Sequence, residues 1–94
     1  MPNGNEVRVR CQVSVGFFDS ELFVAVGDVS VLVNVNSVKT DDDQRPEQGK
    51  PIPGLVLAYL VQDEKDRALI ELPGQAVVGG LRTWISKDAL AAPA

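Results

Sequence analysis

The chain has 94 residues, 45% of them hydrophobic and 23% charged, with a formal net charge of −4. This is the make-up of one folded domain with room for a single core, and its acidic balance argues against nonspecific binding to nucleic acid or an anionic membrane surface, which needs a basic field. The absence of histidine removes the commonest general base and the commonest transition-metal ligand together.

The opening "MPNGNEVRVR" lacks the apolar core of a secretory signal, and no apolar run in the chain reaches membrane-spanning length. "VRVRCQVSV" (7–15) alternates strictly, with Val7, Val9, Cys11, Val13 and Val15 on one side and Arg8, Arg10, Gln12 and Ser14 on the other. Period two with β-branched residues predicts a half-buried strand. Cys11 falls on its apolar side, which makes it a small core hydrophobe and not a nucleophile. A single thiol allows no internal disulfide or cysteine-rich zinc site and fits a reducing compartment. The expectation is a cytoplasmic protein with no membrane span, no cofactor and no metal.

"GFFDSE" (16–21) reads as a turn whose adjacent rings, Phe17 and Phe18, point one in and one out. "LFVAV" (22–26) reads as a second strand. Asp19-Ser20 has the chemistry to cap a short helix there, but β-branched and aromatic content favours strand. Gly27-Asp28 suits a tight hairpin turn, and "VSVLVNVN" (29–36) is a third strand.

"TDDDQRPEQGKPIPG" (40–54) interrupts the strands. Pro46, Pro51 and Pro53 predict a stiff connector kept out of any ladder, or else a binding loop. Asp41, Asp42 and Asp43 are badly spaced for calcium, whose loops place ligands at alternate positions around a glycine. Beyond it, "LVLAYLVQ" (55–62) is a strand, "DEKD" (63–66) a turn and "RALIEL" (67–72) a strand. "PGQAVVGG" (73–80) reads as a Gly/Pro-rich connection, "LRTWIS" (81–86) as a strand, "KDAL" (87–90) as one helical turn and "AAPA" (91–94) as a frayed tail. Gly79-Gly80 is no phosphate loop, because no lysine, serine and helix follow in frame.

Two three-strand units therefore recur, 7–39 and 54–90, joined by the connector 40–53. Laid over one another, Leu22, Val24 and Val26 fall on Ala68, Ile70 and Leu72, and "LVNVNSV" on "WISKDAL"; Cys11, Val13 and Val15 fall on Leu57, Tyr59 and Val61. The expected fold is all-β, a small six-stranded barrel or sandwich built from two three-strand meanders with little helix. The strand–turn–strand–hairpin–strand order, closed by a short turn such as "KDAL", resembles the SH3-like barrel plan. That likeness of layout implies binding of peptides, nucleic acid or other subunits, and does not choose among them.

Taking the alternation literally, the core holds Val7, Val9, Cys11, Val13, Val15, Leu22, Val24, Val26, Val31, Val33, Leu55, Leu57, Tyr59, Val61, Ile70, Leu72 and Ile85. The second face should then be polar, yet it receives Phe23, Ala25, Leu32, Val56, Ala58, Leu60, Leu69 and Trp84. An apolar face of that size has two explanations: the fourth strand is covered on both faces by a second sheet, a loop or a folded-over half, or, the reading preferred, the face is a subunit interface, with a two-fold dimer as the default. Trp84, with Arg82 beside it, is the candidate anchor. Arg8 and Arg10 stand about 7 Å apart on the polar side of the first strand, placed to grip an anion or a partner's carboxylates, or to pair across the ladder. The reading that follows is a non-catalytic small-barrel module that self-associates and binds a protein or small ligand. The alternative is a subunit of a small oligomeric enzyme or ligand-binding protein, its site where subunits meet.

Overall fold

The structure is a computed structural model and describes residues 5–91. Eight antiparallel strands run in chain order: β1 (Glu6–Val15), β2 (Glu21–Val26), β3 (Val29–Asn34), β4 (Val38–Lys39), β5 (Ile52–Asp63), β6 (Arg67–Glu71), β7 (Gln75–Val78) and β8 (Arg82–Ser86). Hydrogen bonds link them as β7-β3-β2-β1-β5-β6-β8, with β4 beside β5, in one sheet curled into a half-barrel. Among the described residues helix is limited to three 3-10 turns at Val35–Ser37, Asp41–Asp43 and Lys87–Ala89. The small all-β barrel is the one the alternation implies, with eight strands where the sequence suggested six. Among the described residues no helix is long and apolar enough to cross a membrane.

Local chemistry sets the boundaries. Gly27 takes φ +53° as the first central residue of the β2–β3 hairpin, the glycine position of tight hairpin turns. The third strand ends at Asn34, two residues short of "VSVLVNVN", because the Asn34 side chain accepts the Asn36 N–H at 2.8 Å and turns the chain into a 3-10 cap. The connector is shorter than its prolines suggest. Pro53 lies inside β5 opposite Gln12, where β4 does not reach and a missing N–H is tolerated. The Gly/Pro-rich connection at 73–80 also holds a strand, β7, which pairs with β3. In the expected tail, Ala91 donates its N–H to the Arg8 carbonyl at 2.9 Å; residues 92–94, like 1–4, lie outside the described residues.

The core is valine-rich: Val9, Val13, Val24, Val31, Val33, Val56, Ile70 and Leu72 are almost fully enclosed. β5 corrects the sequence reading. Its inward residues are Val56 and Ala58, both 0% exposed, with Leu60 packed on the core; Leu55, Leu57 and Tyr59 face outward. Both faces of this strand are apolar, so alternation gives no preference between them. Register decides, because directly opposed residues share a face and Val9, in the core, stands opposite Val56. The inner side of the β1–β5 contact admits only small groups: a Cβ on Gly54 would lie 2.7 Å from Val13 Cγ2. Val61, also assigned to the core, sits at a bulge and is 42% exposed, and Val15 at the end of β1 is 36% exposed.

The two halves share one pairing plan. Val13↔Val24 and Val24↔Val31 in the first correspond to Leu60↔Ile70 and Ile70↔Thr83 in the second. Asn34 and Ser86 each cap a 3-10 turn. The Val35 N–H bonds the Ser20 carbonyl, as the Lys87 N–H bonds that of Asp66. Each half then closes on the other: Val38 pairs with Val56 of β5, and Leu90 bridges to Val9 of β1.

Candidate functional site

Each strand puts alternate residues on the outer face of the sheet, and the register orders them into rows. One row runs Ser14–Phe23–Leu32–Gln75 and the next Pro53–Gln12–Ala25–Ser30–Val78. At the other flank Leu69 stands opposite Trp84, and Tyr59, Glu71 and Arg82 form the neighbouring row.

The candidates from sequence divide on this map. Val56 is fully enclosed in the core, and Leu60, half-buried, packs on it rather than on the outer face. Leu32 keeps its outward position but is 8% exposed. Phe23, Leu69 and Trp84 are outward and half-buried. Arg82 is exposed and bonds Glu71 Oε1 at 2.8 Å. It is Arg67, not Arg82, that covers Trp84, its guanidinium 3.9 Å from the ring centre, a cation–π contact. Arg8 is half-buried, with Nη1 enclosed and without a hydrogen-bond partner, and Arg10 is exposed opposite Leu55.

Phe17 and Phe18 do not split one in and one out: they are 73% and 72% exposed. Phe17 meets Phe23 edge-on at 5.2 Å. The register breaks between Ser30 and Val31, and β7 is exposed along its whole length, with Val77 50% and Val78 60% exposed. Among the described residues β7 has a ladder partner on one side only.

A groove of about 670 Å³ crosses the middle of β1 and β5, within the range of small-molecule sites. It exists because the sheet splits there. β2 pairs with β1 only as far as Gln12, and Leu90 rejoins β1 at Val9, so among the described residues the β1 edge at Arg10–Cys11 has no ladder partner on that side. Val26, Gly27 and Ala91 line this gap, and Lys39–Asp41 line the opposite wall. Arg10 and Lys39 are both register partners of Leu55, so the three side chains share a face.

Cys11 borders the groove but is only 8% exposed, and burial pushes its thiol up to about 12. Its proton stays on at neutral pH, so it supplies neither charge nor nucleophile. Glu64 is lowered, first by the hydrogen bond from Arg67. Asp41–Asp43 are exposed and form a 3-10 turn with positive φ at Asp42 and Asp43. Among the described residues no group of three or more cysteines and carboxylates is arranged to hold a metal ion. Sequence reading missed Lys39 and Gly54, because their roles depend on which strand lies alongside. It missed β7 because its bulge erases the alternation.

No protein-family model matches the chain, and no curated protein and no solved structure matches it.

Proposed function

We propose that the chain is a non-catalytic, cytoplasmic binding module that self-associates as a dimer and takes a protein or small ligand on its outer face. One observation carries the reading: the apolar flank made by Phe17 and Phe18, the row of Phe23 and Leu32, and Val77 and Val78 on the open strand β7. A monomer seldom leaves so much apolar side chain in water. The β7 bulge hinders open-ended strand pairing, which favours a closed two-fold pair over a filament. The protonated thiol of Cys11 supports a non-catalytic role.

The alternative, a ligand site near a subunit boundary, draws on a different observation. Val78 shares its outward row with Ala25 of the groove wall, two strands away.

Light scattering from micromolar to millimolar concentration tests the proposal. The expected mass is that of two chains, falling to one chain in Phe18→Ser and Val78→Lys variants that remain folded by circular dichroism. A parent chain that stays at monomer mass over the whole range refutes it.

A further inference from the structure

We propose that the groove across β1 and β5 is a binding site for a small monocarboxylate with an apolar body. The site is separate from the apolar flank, and it stands whether or not the chain dimerises.

Charge supplies the first argument. The chain carries net −4, and Arg67, Arg82 and Lys87 are each held by a carboxylate, of Glu64, Glu71 and Asp63 in turn. Arg10 and Lys39 are different: among the described residues neither makes an ion pair, and both line the groove. They flank Leu55 from the two neighbouring strands, which sets their backbones about 10 Å apart, two strand spacings. Two long side chains on one face are able to reach a common group above Leu55 from that separation. A planar guanidinium with an ammonium beside it matches a carboxylate.

The walls argue for the rest of the ligand. Ala25, Val26, Pro53 and Leu55 give the groove an apolar lining, which a purely inorganic anion would leave unused. Asp41 stands on the same wall as Lys39 and offsets part of the positive charge, which suits one negative charge better than the two of phosphate. Gly54 contributes only backbone to this lining, since a side chain there would turn inward and strike Val13 and the Lys39 carbonyl. Cys11 has its proton and is nearly enclosed, so binding is noncovalent.

The experiment is an amide chemical-shift titration of the full chain with phenylbutyrate. The expected result is a saturable shift centred on Arg10, Gly27, Thr40 and Gly54. Arg10→Gln and Lys39→Gln each weaken it at least about tenfold, the loss of one charge-assisted contact. Arg82→Gln, outside the groove, leaves it unchanged. Phenylbutanol, with the same body and no charge, binds at least about tenfold more weakly on the same grounds, and inorganic phosphate competes poorly. Shifts that do not saturate, that centre elsewhere or that survive both substitutions overturn the site. Phosphate binding more tightly than phenylbutyrate, or phenylbutanol binding as well, overturns the ligand class.

Discussion

Alkaline pH should destabilise this protein through a single thiol. Cys11 is 8% exposed within a cluster that includes Val9, Val13, Val24 and Val26, and the cost of placing a thiolate there pushes it from 9.0 up to about 12. Below about pH 9 both folded and unfolded chains keep the proton, and the contribution to stability is complete. Between about 9 and 12 the unfolded chain has lost the proton and the folded chain has not. The unfolded state then binds fewer protons, so stability falls as pH rises. At 1.36 kcal/mol per unit, the loss by about pH 11 is roughly 2–3 kcal/mol. The comparison is with Cys11→Ala, which keeps every titratable group but the thiol. Urea unfolding of both proteins at steps from about pH 8 to pH 11 gives two stability curves, and the parent should lose roughly 2–3 kcal/mol more than the variant. Parallel curves would refute the reasoning, since they would mean that the thiol ionises in the folded protein as it does in the unfolded chain.

Gly27→Ala combines a backbone at φ +53° with a Cβ 2.8 Å from Thr83 Oγ1; it should cost about 1–2 kcal/mol in chemical denaturation, and a neutral result would mean the hairpin is not held against β8. A double-mutant cycle on Arg67→Ala and Trp84→Ala should give a coupling of about 0.5–1 kcal/mol from the stacked guanidinium, with zero coupling counting against the contact. Trp84→Ala should also leave the scattering mass unchanged, because the proposed interface lies on the opposite flank; dissociation would return the interface to the place the sequence alone suggested.

Where one face of a strand is polar, the fold was legible. β1 has Arg8, Arg10 and Gln12 to mark its outer side, and its core set of Val9, Cys11 and Val13 is the expected one. Leu22, Val24, Val31, Val33, Ile70 and Ile85 are likewise core residues in sequence and structure. β5 has no such marker. Preferring its larger residues, Leu55, Leu57 and Tyr59, inverted it, whereas the tight β1–β5 contact selects Val56 and Ala58. Helical turns at Asn34 and Ser86 carry a visible signal, a short polar side chain that accepts an N–H two residues on, but only at Ser86 did the pattern beyond it break early enough to be noticed. Of the groove, Arg10 was visible as an exposed base on a clean strand. Lys39 was not, since a two-residue strand such as β4 is defined by its partner and not by its own residues.

The inverted strand and the overlay of the two halves are one problem. "LVNVNSV" over "WISKDAL" places Asn34 on Ser86 and Val38 on Leu90, which is the correspondence the hydrogen bonds follow. For the central strands the pairing matches Val9 to Val56, one residue further than the overlay of Cys11 on Leu57, and a one-residue slip exchanges the faces of a strand. With the slip removed, Arg10 corresponds to Leu57 and Lys39 to Ala91. The same scaffold thus offers two related positions. Leu55 lies between Arg10 and Lys39, and Arg8 lies between Leu57, its register partner, and Ala91, whose N–H its carbonyl accepts. The first has an apolar centre with a cation on either side; the second has one cation between two apolar residues. Only the first arrangement sets two positive groups around an apolar floor, which is what an anion with an apolar body requires, and that difference is an argument for the groove independent of its size.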